Sequence, residues 1–120
     1  MSSIKSIRPF IGSKNFLESR QFYTQMGFTE VVLYHNLSYF SIEEGFGFYL
    51  QDAYVEDWVN NTMLFLEVNN LSDYLQKLQA LNLPHHFPEV RLSQIQTENW
   101  GQQFFLHDPS GILWHVGVFM

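Results

Sequence analysis

"KNFLESRQFYTQMGF", Lys14 to Phe28, is the stretch on which the fold turns. Asn15 followed three residues later by Glu18 is a helix start, with a side-chain acceptor at the cap and a carboxylate able to reach back. Phe16, Tyr23 and Met26 supply an apolar face at roughly helical spacing, and Gly27 suits the left-handed turn that ends a helix. The pattern changes on both sides. "SIRPFIGS" before the helix mixes apolar and polar residues as a strand does. "FTEVVLY", "LSYFSI" and "FGFYLQ" after it read as three strands, with turns at "HN" and "EEG".

The second half repeats this plan. "TMLFLEV" reads as a strand and "NLSDYLQKLQALNL" as a helix, with Asn70 and Asp73 at its cap and Leu71, Tyr74, Leu75, Leu78 and Leu81 in one stripe. "VRLSQIQ", "GQQFFLH" and "GILWHVGVF" follow as strands. Asn15 and Asn70 stand 55 positions apart, as do Ile11 and Leu66, Phe16 and Leu71, Tyr23 and Leu78, and Phe28 and Leu83. Gly45 and Gly111 stand 66 apart, so the second half has a longer link before its last two strands. Shared element order and cap chemistry make this an internal repeat despite low identity. The fold class is therefore α+β: two βαβββ modules forming a curved mixed sheet around a cavity, in one domain spanning residues 1–120. Module one covers residues 4–52, "DAYVEDWVNN" supplies a linker at 53–60, and module two covers 61–120. Alternate strand residues point into the cavity.

Composition removes several function classes. Lys and Arg number 6 against 12 Asp and Glu, for a net charge of −6, so no basic stripe exists for nucleic acid. With no cysteine, disulfides, Cys-bound zinc and thiol nucleophiles are excluded. No apolar run is long enough for a membrane span and no signal-type h-region opens the chain, so a cytoplasmic protein without membrane contact is expected. Aromatics reach 18%, enough for some to line a pocket beyond the core. No phosphate loop, dinucleotide fingerprint or nucleophile elbow is present, and no cofactor is expected.

Several side chains have both a structural and a functional reading. "PHHFP", with His85 and His86, reads as an exposed loop, because adjacent strand residues face opposite ways. His35 reads as a hairpin residue. In "HDPSG", Asp108 accepts turn N–H groups, Pro109 fixes φ and Gly111 permits positive φ, so the motif is structural; His107 before it caps the turn or bonds a neighbouring strand. Trp58 in the linker is placed to cover a cavity mouth, and Trp100 to stack on a planar ligand. Trp114 alternates with His115 and should face a helix or a subunit interface.

The helix "KNFLESRQFYTQMGF" and the late "WGQQFFLHDPSGILWHV" together resemble the vicinal oxygen chelate superfamily, which includes glyoxalase I, bleomycin-resistance proteins and extradiol dioxygenases. The resemblance covers almost the whole chain and specifies fold better than activity. It implies metal ligands, in the metal-dependent members, on the first and last strands of each module. The matching positions here are Arg8, Tyr49, Met63 and His115, with Phe10 and Phe65 as inward neighbours. A guanidinium has no lone pair, a thioether is a soft ligand and a phenol ligates only as phenolate, so His115 is left without partners and no metal is expected there. The resemblance then implies a small-molecule-binding protein, a homodimer with both chains shaping the sites. Arg8, Phe10, Tyr49, Trp58, Met63, Phe65, Trp100 and His115 are the candidate ligand-binding residues. The alternative is a lyase, isomerase or dioxygenase-like enzyme with His115 as general base or sole metal ligand and Tyr49 as proton donor. A protein-interaction role stands third.

Overall fold

The two capped helices form as their sequences require. The computed structural model describes residues 3–120. Helix α1 runs Phe16–Gln25, and the Asn15 side chain accepts the Glu18 N–H at 3.1 Å. Its chain leaves through Gly27 at φ 96°, where a side chain would be strained. Helix α3 runs Leu71–Ala80, and Asn70 accepts the Asp73 N–H at 3.0 Å. Phe22 and Tyr23 of α1, and Leu71, Leu75 and Leu78 of α3, are buried.

Each helix covers one mixed sheet. Strands β1 (Phe10–Gly12), β2 (Thr29–Tyr34), β3 (Leu37–Glu43) and β4 (Phe46–Gln51) form the first, in the order β1-β4-β3-β2. Strands β5 (Met63–Glu67), β6 (Arg91–Leu92), β8 (Gly101–His107) and β9 (Leu113–Phe119) form the second, in the order β5-β9-β8-β6, with β7 (Gln96–Glu98) also on β8. In both, the first strand lies parallel to the last and the remaining pairs are antiparallel.

The register preserves the repeat residue by residue. Phe10 pairs with Tyr49 and Ile11 with Leu50 in module one; Phe65 pairs with His115 and Leu66 with Val116 in module two. These are the 55- and 66-residue offsets again. Alternation then divides the faces. Ile11, Phe40, Phe48 and Leu50, and Phe104, Leu106, Trp114 and Val116, turn inward to the core. Phe10, Tyr39 and Tyr49, and Met63, Phe65, Phe105 and His115, turn to the outer face; Phe10 and Phe65 are thus exposed rather than inward as expected, because the inner register is filled by the core under the helices.

Trp114 faces helix α1, one of its two expected neighbours, and joins the modules. It is 2% exposed and its ring meets those of Tyr23, Phe28 and Phe48. Its indole N–H donates to the Tyr23 oxygen at 2.9 Å, and the Tyr23 hydroxyl donates to Asp108 Oδ2 at 2.7 Å. Asp108 Oδ1 accepts the Ser110 and Ile112 N–H groups at 2.9 Å each, the turn chemistry expected of the motif.

Three local expectations are corrected. The linker contains a helix, α2 (Glu56–Asn61), whose acidic first turn complements the helix dipole and whose Val59 is buried. "PHHFP" is not simply a loop: Leu83 and Pro84 open a single helical turn, α4 (Leu83–His86), after Asn82 at φ 53°. "VRLSQIQ" is broken into β6 and the start of β7 rather than one strand. Among the described residues no helix is long and apolar enough to cross a membrane.

Candidate functional site

The outer faces carry most of the predicted site residues, in two groups. In module one the chain enters β1 through Pro9, which lacks an N–H and offers its carbonyl to the Tyr49 N–H at 2.9 Å. Arg8 just before it is half-buried, with its guanidinium carbon 4.2 Å from the centre of the Tyr39 ring. Arg8 Nη1 donates to the Tyr49 hydroxyl at 3.3 Å, and the Phe10 and Tyr49 rings stack at 4.6 Å. The Tyr39 and Tyr49 rings lie 5.4 Å apart.

Module two presents an imidazole where module one presents a phenol. His115 lies parallel to Phe65 at 6.3 Å and against the edge of Phe105 at 5.2 Å. Phe65 also meets Trp100 at 5.8 Å and Phe119 at 5.5 Å. Gly117 makes room for this packing, since a β-carbon there would stand 2.9 Å from the tip of Phe65.

A polar relay fixes His115. Gln103 Nε2 donates to Glu98 Oε2 at 2.7 Å, and Gln103 Oε1 lies 3.0 Å from His115 Nδ1. A carboxylate only accepts, so the Gln103 amide nitrogen must face Glu98 and its oxygen must face His115. The neutral imidazole therefore carries its proton on Nδ1. Nε2 keeps its lone pair and points toward Met63 Sδ, 3.5 Å away. Nitrogen-15 NMR of His115 near neutral pH should show the Nδ1–H tautomer, and Gln103→Leu should abolish that bias; a wild-type signal dominated by Nε2–H would contradict the relay. His107, on the same face, has its pKa lowered by burial, with Arg91 and His115 adding to the effect.

The predicted set is thus gathered unevenly. Arg8, Phe10 and Tyr49 form one group, and Met63, Phe65, Trp100 and His115 form another. Among the described residues no hydrogen bond or ring contact joins the two groups. Trp58 stands apart on the solvent side of α2, 72% exposed. Tyr39, Phe105, Gln103, Glu98 and Phe119 belong to the faces and were not anticipated. Tyr39 and Phe105 were within reach, because the 66-residue offset relates them and each pairs across from a predicted residue. The relay carries no local sequence signal.

Another cleft lies elsewhere. It has a volume of about 860 Å³ and runs between the β3–β4 hairpin, the inner side of β5 and the start of α3, sharing only Phe65 with the predicted set. Its rim includes Asn70 and Asp73, whose cap bond already commits the Asn70 side chain to α3. The outer faces hold polar groups oriented by hydrogen bonds, Arg8 with Tyr49 and His115 with Gln103.

The donor set at the family's ligand positions suits a hard divalent ion poorly. The Arg8 guanidinium has no lone pair, Tyr49 already accepts from Arg8, and Met63 is a thioether. Among the described residues no group of three or more His, Cys, Asp or Glu converges to hold a metal.

No family model and no curated protein matches the sequence. Solved structures do. A bleomycin-binding protein from bleomycin-producing Streptomyces verticillus, complexed with copper(II)-bleomycin, superposes with a TM-score of 0.81 at 12% identity over 100% of both chains. An antibiotic-binding protein from Streptomyces sp. CB03234 gives 0.75 at 14% identity, again over 100% of both chains. A glyoxalase-related enzyme from Fulvimarina pelagi gives 0.68 at 15% identity, over 96% of this chain and 88% of that one. The chain shares the fold of these bleomycin-binding, antibiotic-binding and glyoxalase-related proteins, consistent with the sequence resemblance.

Proposed function

We propose that this protein, of the glyoxalase/bleomycin-resistance type, binds a small molecule on its outer aromatic faces, without the metal of the metal-dependent relatives. The observation that carries this reading is the composition of the faces. Tyr39, Tyr49 and Phe10 surround Arg8, and Phe65, Phe105, Trp100 and Phe119 surround or extend from His115. Rings with a few oriented polar groups suit a planar organic ligand, while the donors suit a hard ion poorly. The neighbours that bind bleomycin and other antibiotics share this fold.

The reading includes a homodimer. Phe10, Met63, Phe65 and Phe119 are 56%, 63%, 44% and 57% exposed, and edge strand β2 leaves Val31, Val32, Leu33 and Tyr34 exposed as well. So much apolar surface marks an interaction site on a small chain. A second copy would cover part of it and close each open face into a pocket. Analytical ultracentrifugation should give twice the chain mass of 14.2 kDa; a monomer at working concentration would remove the shared-site part of the reading.

A thermal-shift panel of bleomycin-type glycopeptides and planar aromatic compounds tests the binding. At ligand one hundred times Kd the gain is about 2.7 kcal/mol, a rise in Tm on the order of 10 °C for this length. No stabilisation across the panel, with one tightly bound metal per chain lost on His115→Ala, would overturn the reading.

One observation favours the enzymatic alternative. The relay leaves Nε2 of His115 as a directed proton acceptor, which is what a general base requires. Turnover of a lyase, isomerase or dioxygenase-type substrate that His115→Ala abolishes would support that alternative.

A further inference from the structure

Among the described residues, Arg8 is a cation without a counter-ion. The chain has 12 Asp and Glu residues, yet the salt bridge among the described residues joins Arg20 to Glu30 at 2.6 Å and leaves Arg8 out. Of the five N–H donors of its guanidinium, one meets a protein acceptor, the Tyr49 hydroxyl, at a long 3.3 Å. Its Nε is buried with no hydrogen-bond partner among the described residues. In an acidic chain an arginine held this way is conspicuous, because a carboxylate partner was abundantly available.

The surroundings hold the guanidinium rather than neutralise it. Its carbon lies over the Tyr39 ring, 4.2 Å from the centre, and 5.9 Å from the centre of the Tyr49 ring. A cation–π contact of this kind holds the guanidinium in place without neutralising it and leaves its unpaired N–H donors for an anion. Next to it, Phe10 and Tyr49 make a stack inclined by only 26°, and Phe10 is 56% exposed. That is a second, apolar shelf immediately beside the cation. The repeat sharpens the point. The counterpart of Arg8 in module two is Met63, and that of Tyr49 is His115, so only module one carries a permanent positive charge at this position.

We propose that the module-one face selects a planar aromatic acid, with its anionic group on the Arg8 guanidinium and its ring system on the Phe10–Tyr49 shelf. This rests on the small-molecule reading above and narrows it to a ligand class. Charge and ring are recognised by separate elements, so both are required.

Isothermal titration of the full chain with 1-naphthoate, its neutral counterpart 1-naphthamide and the cation 1-naphthylmethylamine tests this. Naphthoate should bind about tenfold or more tightly than naphthamide, as a charge-assisted hydrogen bond implies, and the amine weakest. Arg8→Gln should remove the preference by weakening naphthoate far more than naphthamide, and Arg8→Lys should keep part of it, a point charge replacing the fork. Equal affinity for acid and amide, or a preference that survives Arg8→Gln, overturns the inference and leaves small-molecule binding intact. If no naphthyl compound binds while the broader panel stabilises the protein, the inference alone fails; if nothing in the panel stabilises it, the parent reading fails too. Melting curves of both variants confirm that loss of preference is not loss of fold.

Discussion

Replacing Asp108 with Ala is expected to cost about 3–5 kcal/mol of stability, because three donors lose a buried acceptor worth about 1–3 kcal/mol each and the losses overlap. The donors are the Tyr23 hydroxyl and the Ser110 and Ile112 N–H groups, and Asp108 itself is fully buried. The residue also joins the modules, since Tyr23 belongs to α1 while Asp108 opens the turn into β9. Urea unfolding measures the loss; a cost below about 1 kcal/mol, the net worth of one ordinary hydrogen bond, would show that the network is not holding the modules together.

The same carboxyl gives a pH dependence. Burial raises its pKa from the ordinary 3.8 to about 6, with the hydrogen bonds from Tyr23 and the turn pulling the other way. The folded protein therefore holds this proton more tightly than the unfolded chain. Its stabilising contribution is complete below the unfolded value and is lost as pH rises through the folded one. Between about pH 4 and 7 the wild type should lose up to about 3 kcal/mol from this group. Asp108→Asn should lack that slope, so the difference between the two proteins should shrink or invert as pH rises. A difference flat across this range would contradict the assignment.

Trp114→Ala should be of similar severity, about 3–5 kcal/mol, the range for emptying a buried aromatic site. The indole fills the space between Tyr23, Phe28 and Phe48, and its N–H is matched to Tyr23. Trp114→Phe, which keeps much of the ring and loses the donor, should cost markedly less. Because Asp108 and Trp114 act on the same hydroxyl, the double variant should lose less than the two single losses together. Strict additivity would mean that Tyr23 does not couple them.

These two residues also show what the sequence could and could not convey. The caps at Asn15 and Asn70, and the turn glycines Gly45 and Gly111, are local chemistry, and local chemistry located both modules and their offsets. The pairings Phe10–Tyr49 and Phe65–His115 follow from those offsets because strand register is set by alternation and turns. The Tyr23–Asp108–Trp114 network joins residues as many as 91 positions apart, and nothing local announces it. The relay from Glu98 through Gln103 to His115 is hidden for the same reason. Helix α2 escaped because six residues with one buried side chain carry too little periodicity to stand out from a linker. The candidate site was legible as two faces of the right residues; that they form separate groups depends on how the modules pack.

The binding face itself is tested most directly by NMR shift mapping with the compound that most stabilises the protein. Perturbations should centre on the Arg8 Nε–H, the ring resonances of Tyr39, Tyr49 and Phe65, and the His115 imidazole. Perturbations confined to Gly47, Asp73 and Tyr74, around the 860 Å³ cleft, would contradict binding at the outer faces.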